Sequence, residues 1–286
     1  MKIGFSSMNT QFDPMPGQLA PALEERGFES LWMGEHSHIP VSRNSAYPAG
    51  GDMPEPYKHM RDPYVSLMSA AAVTSELRLA TGIALLMERD IFSLAKSIAT
   101  LDTLSGGRVL IGTGVGWNRE EFENVNQAPW DKRYGIMRET VAALRVLWTA
   151  DEPAFAGEHI SFEPVWSYPK PAQIGGPPIL FGAMGPMGVS HSAQWAAGWL
   201  PVDIALPDIA ASVASYRELL TEHGRSLGEA PITLQCMMRP TRDDLLRYQD
   251  LGIERVVVGV EIDKWGQADH LFPMIDEIGS IISSIN

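Results

Sequence analysis

The chain has 286 residues with a single cysteine, 45% hydrophobic and 20% charged residues, and a formal net charge of −13. That balance is ordinary for a globular protein, and its acidity argues against a nucleic-acid or anionic-membrane partner, whose phosphates need a basic face. Cys236 alone forms no internal disulfide, the proline-interrupted start (MKIGFSSMNTQFDPMPG) has no continuous apolar leader, and no apolar run approaches a membrane span, so a cytoplasmic protein is expected.

Residues 2–7 (KIGFSS) predict a strand and 17–26 a helix, with Gly27 as its stop before a strand over 28–34. The same order repeats along the chain. Further strands are predicted at 77–85, 108–113, 178–182, 198–203, 231–237 and 253–260. Helices are predicted near 63–75, 91–104, 119–147, 186–197, 207–223, 241–251 and 268–283. Gly198 and Gly252 stand at helix-to-strand joints as Gly27 does. RVLIG, PPILFG and ERVVVGV are apolar without alternation, as parallel strands covered on both faces are. Eight βα units predict an α/β fold, a (β/α)8 TIM barrel formed as one domain over residues 1–286. A doubly wound sheet is the alternative, although KIGFSSMNTQFD lacks its glycine-rich phosphate turn. Two proline-bearing segments interrupt the alternation, 38–62 after the second strand and 151–177 before the fifth. Loops of that length are expected to cap a site.

The segment LDTLSGGRVLIGTGVGWNREEFE (101–123) places five glycines between Gly106 and Gly116. Trp117 stands where a dinucleotide fingerprint needs its third glycine, and no Gly-Lys-Ser/Thr triplet follows. On the barrel frame RVLIG is the fourth strand, and Gly112–Gly116 is the loop at its C-terminal end, where barrels carry their active sites. So many missing side chains predict close approach of a flat or bulky ligand; simple turn-making is the alternative. Asn118 is a predicted helix cap with Glu121 as its reciprocal partner. Gly34–His38 (GEHSH) ends the second strand on the same face. His36 suits proton exchange near neutral pH, with Glu35 to orient it; the alternative is a strand-end hydrogen bond and a salt bridge. His36 and His38 without a third ligand predict no metal site.

These motifs resemble the bacterial luciferase-like flavin and deazaflavin oxidoreductases. The likeness runs through GFESLWMGEHSHIP, RLATGIALL, SLAKSIATLDTLSGGR, ETVAALRVLW, FEPVWSYPKPAQIGGPPILFGAMG and AAGWLP, and is nearest the subgroup using coenzyme F420. The resemblance implies hydride transfer between coenzyme F420 and a small organic substrate, in a homodimer. An FMN-dependent monooxygenase using reduced flavin and dioxygen, or a flavin-binding barrel without turnover, are the alternatives. It implies catalytic roles for Glu35 and His36 beside the redox ring. Gly82, Ile83 and Ala84 would back the ring through a non-proline cis peptide at Gly82–Ile83, where the residues alone read as a β-bulge. Gly114, Val115, Gly116, Trp117 and Asn118 would meet the cofactor's ring edge or side chain. Gly182, Ala183, Met184 and Gly185 would offer backbone N–H groups to its phosphate, ahead of a helix opened by Pro186. Trp117 stands where the sugar-phosphate dehydrogenase branch carries a proton-donating glutamate, which argues against that reaction. Trp117 is then either an apolar wall over the ring or a rim residue.

Overall fold

A computed structural model describes residues 1–285. Its strands are β1 (Lys2–Ser7), β2 (Ser30–Met33), β3 (Arg78–Ala84), β4 (Val109–Thr113), β5 (Phe155–Ala156), β6 (Ser161–Phe162), β7 (Ile179–Phe181), β8 (Gly198–Trp199), β9 (Thr233–Cys236) and β10 (Arg255–Gly259). Its helices are α1 (Pro16–Glu25), α2 (Pro63–Ala71), α3 (Ile91–Leu104), α4 (Arg119–Val125), α5 (Arg133–Thr149), α6 (Pro186–Trp195), α7 (Ile209–Glu222), α8 (Arg242–Asp250) and α9 (Ala268–Ile285), with short 3₁₀ turns between them. Eight parallel strands pair in the order β8-β7-β4-β3-β2-β1-β10-β9. Parallel bridges from Trp199 to Ile232 and from Val202 to Gln235 bring the two edges together, so the sheet is a (β/α)8 barrel and not a doubly wound layer.

The sequence explains the elements. β2 and β4 are buried at every position because parallel strands in a barrel face the lumen on one side and helices on the other. Trp32, Ala80, Leu110, Leu180, Leu200 and Val257 fill the lumen, with Ile83 packed against them. The larger core lies between the barrel and its helices. Asp90, Asp208 and Thr241 cap α3, α7 and α8 with side-chain oxygens. Gly27 and Gly252 take positive φ (79° at each) and stop α1 and α8 as predicted. Gly198 opens β8 as predicted but, without a positive φ, is not a helix stop of that kind; a Cβ there would stand 2.7 Å from the Pro231 carbonyl oxygen.

Two other expectations change. The long helix over 119–147 is two helices, parted at Asn126–Lys132, where Asn126 turns extended and Pro129 opens a 3₁₀ turn. The segment 151–177 is not a cap over the barrel mouth. It leaves the C-terminal end of α5, and its β5–β6 hairpin tip is held on the outside of α5, where Glu139 accepts from the N–H groups of Glu158, His159 and Ile160 at 2.9, 2.8 and 3.0 Å. It returns under the barrel. Lys170 donates to the carbonyls of Leu147 and Ala150, and Gln173 bonds the buried Asp102 ahead of β4. Residues 38–62 do cover the mouth, as the next subsection describes.

Gly112 and Gly114 answer the question the glycine cluster raises. A Cβ on Gly112 would stand 2.3 Å from the Thr81 carbonyl oxygen and 2.6 Å from Leu200, and one on Gly114 would stand 2.7 Å from Ile83. The side chains are absent to let the protein pack on itself there. Gly112→Ala is therefore expected to lower unfolding stability by about 1–3 kcal/mol, measured by urea denaturation, because the near neighbour is backbone that cannot rotate away. Wild-type stability in that variant would contradict the packing described.

Candidate functional site

The C-terminal ends of β2, β3, β4 and β7 converge on one side of the mouth. β3 ends in a register shift between Thr81 and Ala84, and the Gly82–Ile83 peptide is cis. The Ile83 carbonyl accepts from the Glu35 N–H at 3.0 Å, tying this bulge to the end of β2. The Ile83 side chain packs where Cβ atoms of Gly114 and Gly182 would be, so one residue joins the cis bulge to both glycine segments. Gly182, Ala183, Met184 and Gly185 follow β7, and Gly185 caps α6 without a side chain, with Pro186 at its first turn. Among the described residues no side chain takes the first N–H groups of α6, and a Cβ on Gly185 would meet nothing within 4 Å. Met184 and Met187 are exposed beside it.

His36 projects from the end of β2 with its side chain 8% exposed. Its Nδ1 lies 2.6 Å from Oε2 of Glu121, which is fully buried on α4. The expected reciprocal capping box is absent for that reason. Asn118 Oδ1 accepts from the Glu121 N–H at 3.4 Å, but the Glu121 carboxylate turns to His36 instead of back to the cap. Among the described residues His36 Nε2 has no hydrogen-bond partner.

Glu35 does not orient His36. Its carboxylate pairs with Arg89 and accepts the Leu85 N–H at 2.9 Å. Arg89 also pairs with Asp62, the cap of α2, so the guanidinium ties the covering segment to the rim. Burial pushes the Glu35 carboxyl above its ordinary range, against the downward pull of Arg89 and the Leu85 N–H. The structure thus takes the salt-bridge alternative for Glu35 and gives the orienting role to Glu121. Sequence reading placed Glu121 on the right helix but assigned its carboxylate to the helix itself.

Residues 38–62 lie across this rim. Glu120 accepts from the N–H groups of Asn44 and Ser45 at 2.8 and 2.9 Å, and His38 Nε2 is 2.9 Å from Asn124. Tyr57 meets His36 edge-on with centroids 5.3 Å apart, and Trp265 of the last loop at 5.8 Å. Trp117 meets His36 and Tyr47, each at 5.7 Å. Burial, then the Tyr47 hydroxyl, holds the Tyr57 phenol well above its usual value. Trp117 is therefore a rim residue inside an aromatic cluster that faces the imidazole. Tyr47, Tyr57 and Trp265 carried no sequence signal, because their relation is purely spatial. Beside the cluster a cavity opens between the ends of β1, β9 and β10, lined by Ser6, Gln235, Cys236, Lys264, Trp265 and Leu271.

The rim thus brings a cis-peptide bulge, a carboxylate-held histidine and a helix start without a side-chain cap to one end of the barrel. The chain belongs to the luciferase-like monooxygenase family, whose model matches residues 16–265. It is 40% identical over 256 residues to an uncharacterized protein of Mycobacterium tuberculosis (strain ATCC 25618 / H37Rv), covering 86% of each chain. It is 24% identical over 260 residues to an F420-dependent glucose-6-phosphate dehydrogenase of Nakamurella multipartita, covering 87% of this chain and 71% of that one. The fold also superposes, with a TM-score of 0.75 and 17% identity, on an F420-dependent secondary alcohol dehydrogenase in complex with an F420-acetone adduct, covering 100% of this chain and 99% of the other. Members of this family are oxidoreductases or monooxygenases. Among the described residues no helix is long and apolar enough to cross a membrane.

The ion pair at the rim has a pH signature. Arg89→Met leaves the buried Glu35 without its cation, which costs about 3–5 kcal/mol in such settings. The carboxyl of that variant escapes the penalty by binding a proton. The deficit against wild type should therefore be largest at neutral pH and shrink as pH falls, read from thermal unfolding at a series of pH values. A deficit independent of pH would mean that Glu35 is not the charge Arg89 holds.

Proposed function

We propose that this protein is an oxidoreductase that transfers a hydride between coenzyme F420 and a small organic carbonyl or unsaturated substrate. The observation that carries the reading is the His36–Glu121 pair, set at the rim that also holds the cis bulge and the open end of α6. When bound, the deazaflavin supplies the hydride. The chain's own residues supply the rest. The Gly82–Ile83 bulge, with Ala84 behind it, backs the ring, and Gly114 to Asn118 flank its edge and side chain. The N–H groups after Met184 and Gly185 receive the phosphate, where unpaired donors and the helix dipole favour an anion. Glu121 fixes the imidazole in one orientation, and His36 Nε2 gives or takes the proton that accompanies the hydride at the substrate oxygen or carbon. Tyr47, Tyr57, Trp117 and Trp265 keep water from that exchange, and the cavity beside Gln235 and Trp265 receives the substrate. The relatedness to F420-dependent dehydrogenases supports the choice of carrier. The aromatic surroundings of His36 favour an apolar substrate over a sugar phosphate.

Titration with F420 and with FMN, followed by absorbance and fluorescence, tests the carrier. Saturable F420 binding is expected, while FMN binding alone, with oxygen consumption on reduced flavin, would turn the reading to a flavin monooxygenase. His36→Ala should lower turnover by about 10²–10⁴-fold with F420 affinity kept. Gly185→Asp separates cofactor contact from folding. A carboxylate there caps α6 and should hold or raise stability by a few tenths of a kcal/mol, while it repels the phosphate and weakens F420 binding. Unchanged affinity in that variant would remove α6 from the cofactor site.

A further inference from the structure

The cavity beside Trp265 is lined at its base by one polar side chain from β1 and one from β9, Ser6 and Gln235. Ile3, Phe5, Leu234 and Cys236 belong to the core between barrel and helices, so the alternation of each strand turns Ser6 and Gln235 to the lumen. The Gln235 carboxamide reaches across towards β3: its Oε1 lies 3.6 Å from where a Cβ of Gly82 would stand, beside Trp32. Gly259, the register partner of Ser6, brings no side chain, and a Cβ there would stand 3.5 Å from that of Ser6. Polar neighbours are engaged with the protein. Ser7 Oγ accepts from the Asn9 N–H at 3.0 Å, and the Met237 N–H donates to Asp203 at 2.9 Å. Among the described residues no protein group bonds the Ser6 hydroxyl or the Gln235 carboxamide. The charged lining groups also have partners: Asp13 accepts from the Thr10 N–H at 2.7 Å, and Lys264 Nζ is 3.5 Å from Glu261. Trp265 donates its indole N–H to the Val260 carbonyl at 2.8 Å.

We propose that Gln235, with Ser6 beside it, recognises the oxygen of an uncharged substrate, a small alcohol or ketone with an apolar body, and that Gln235 sets this specificity. The inference rests on the reading of this cavity as the place of the substrate. A carboxamide carries both a donor and an acceptor, and a hydroxyl does the same, so the pair serves a carbonyl and the alcohol it becomes equally well. That matches the two ends of a single hydride transfer. Neither group brings a charge to balance a carboxylate or phosphate, and Lys264 is already paired with Glu261, so an anion would leave water without compensation. Val257, Trp265 and Leu271 offer the substrate's body an apolar wall. A molecule of the same shape without the oxygen would leave both polar groups unpaired, and that penalty is what lets a site reject it.

Ligand-observed NMR on the cofactor-free protein reads this recognition without turnover. The probes are cyclohexanone, cyclohexanol, cyclohexanecarboxylate, and methylenecyclohexane, which has the shape of the ketone without its oxygen. Wild type should bind the ketone and the alcohol more tightly than the carboxylate. Gln235→Met keeps the length of the side chain and removes its donor and acceptor. It should weaken cyclohexanone by about 3–10-fold and leave methylenecyclohexane bound as tightly as before or more so. Ser6→Ala, a smaller change for the fold, should move the two probes apart in the same direction. Cyclohexanone affinity unchanged in both variants, or both probes weakened alike, would overturn the proposal, since the second pattern reports only a disturbed pocket. Tighter binding of the carboxylate, or no binding of either neutral oxygen probe to wild type, would overturn it too. Titration with F420 separates this inference from the reading beneath it. Saturable F420 binding without the probe contrast removes the substrate class and keeps the carrier; the contrast without F420 binding keeps Gln235 as the recognition residue and removes the carrier.

Discussion

The hydrogen bond between Glu121 and His36 is the contact on which the site depends, because it joins two elements that lie far apart in the chain. His36 belongs to the end of β2 and Glu121 to the first turn of α4, 85 residues further on. Between them stand β3, its cis bulge and the loop after β4. Holding the imidazole thus fixes how the α4 turn sits over the bulge, and α4 in turn anchors the covering segment through Glu120 and Asn124. The Glu121 carboxylate is wholly buried, so it is an anchor only while it has a partner. A buried acceptor left without one is costly, so the pair holds the end of β2 and α4 together at the rim.

The barrel supplies the rest of the geometry by a constraint of parallel sheets. Every strand runs the same way, so every strand-to-helix loop emerges on one rim, and residues distant in sequence meet there without a dedicated device. Ile83 shows how closely this is packed. It faces the lumen beside Trp32 and Leu180, yet it occupies the space left by Gly114 and Gly182. The glycines that follow β4 and β7 are thus part of the same packing problem as the bulge. The floor of the site is shaped by protein contacts before any ligand arrives.

This also explains what could be read from the sequence and what could not. Period and punctuation carried the barrel: Gly27 and Gly252 end their helices, and the apolar runs of β4 and β10 are strands. The glycine cluster was legible as a place of close approach, but the sequence could not say what approaches, and at Gly112 it is the Thr81 backbone. Length alone made 151–177 look like a cap. Only the hydrogen bonds of Glu139, Lys170 and Gln173 show it strapped outside and beneath the barrel. Glu121 had a sufficient local explanation as a cap partner, so its distant one was invisible. Tyr57 lay in a segment where no periodicity exists to interpret.

Two buried carboxyl groups, Glu35 and Glu121, share this rim of an acidic protein, and the low dielectric there penalises a free charge at either. Each is relieved differently. Glu35 has a guanidinium, which is permanently charged and so makes a fixed strut. Glu121 has the His36 imidazole, whose Nδ1 lies 2.6 Å from its carboxylate. The division follows from which counter-group the fold brings to each carboxyl, a guanidinium to Glu35 and an imidazole to Glu121.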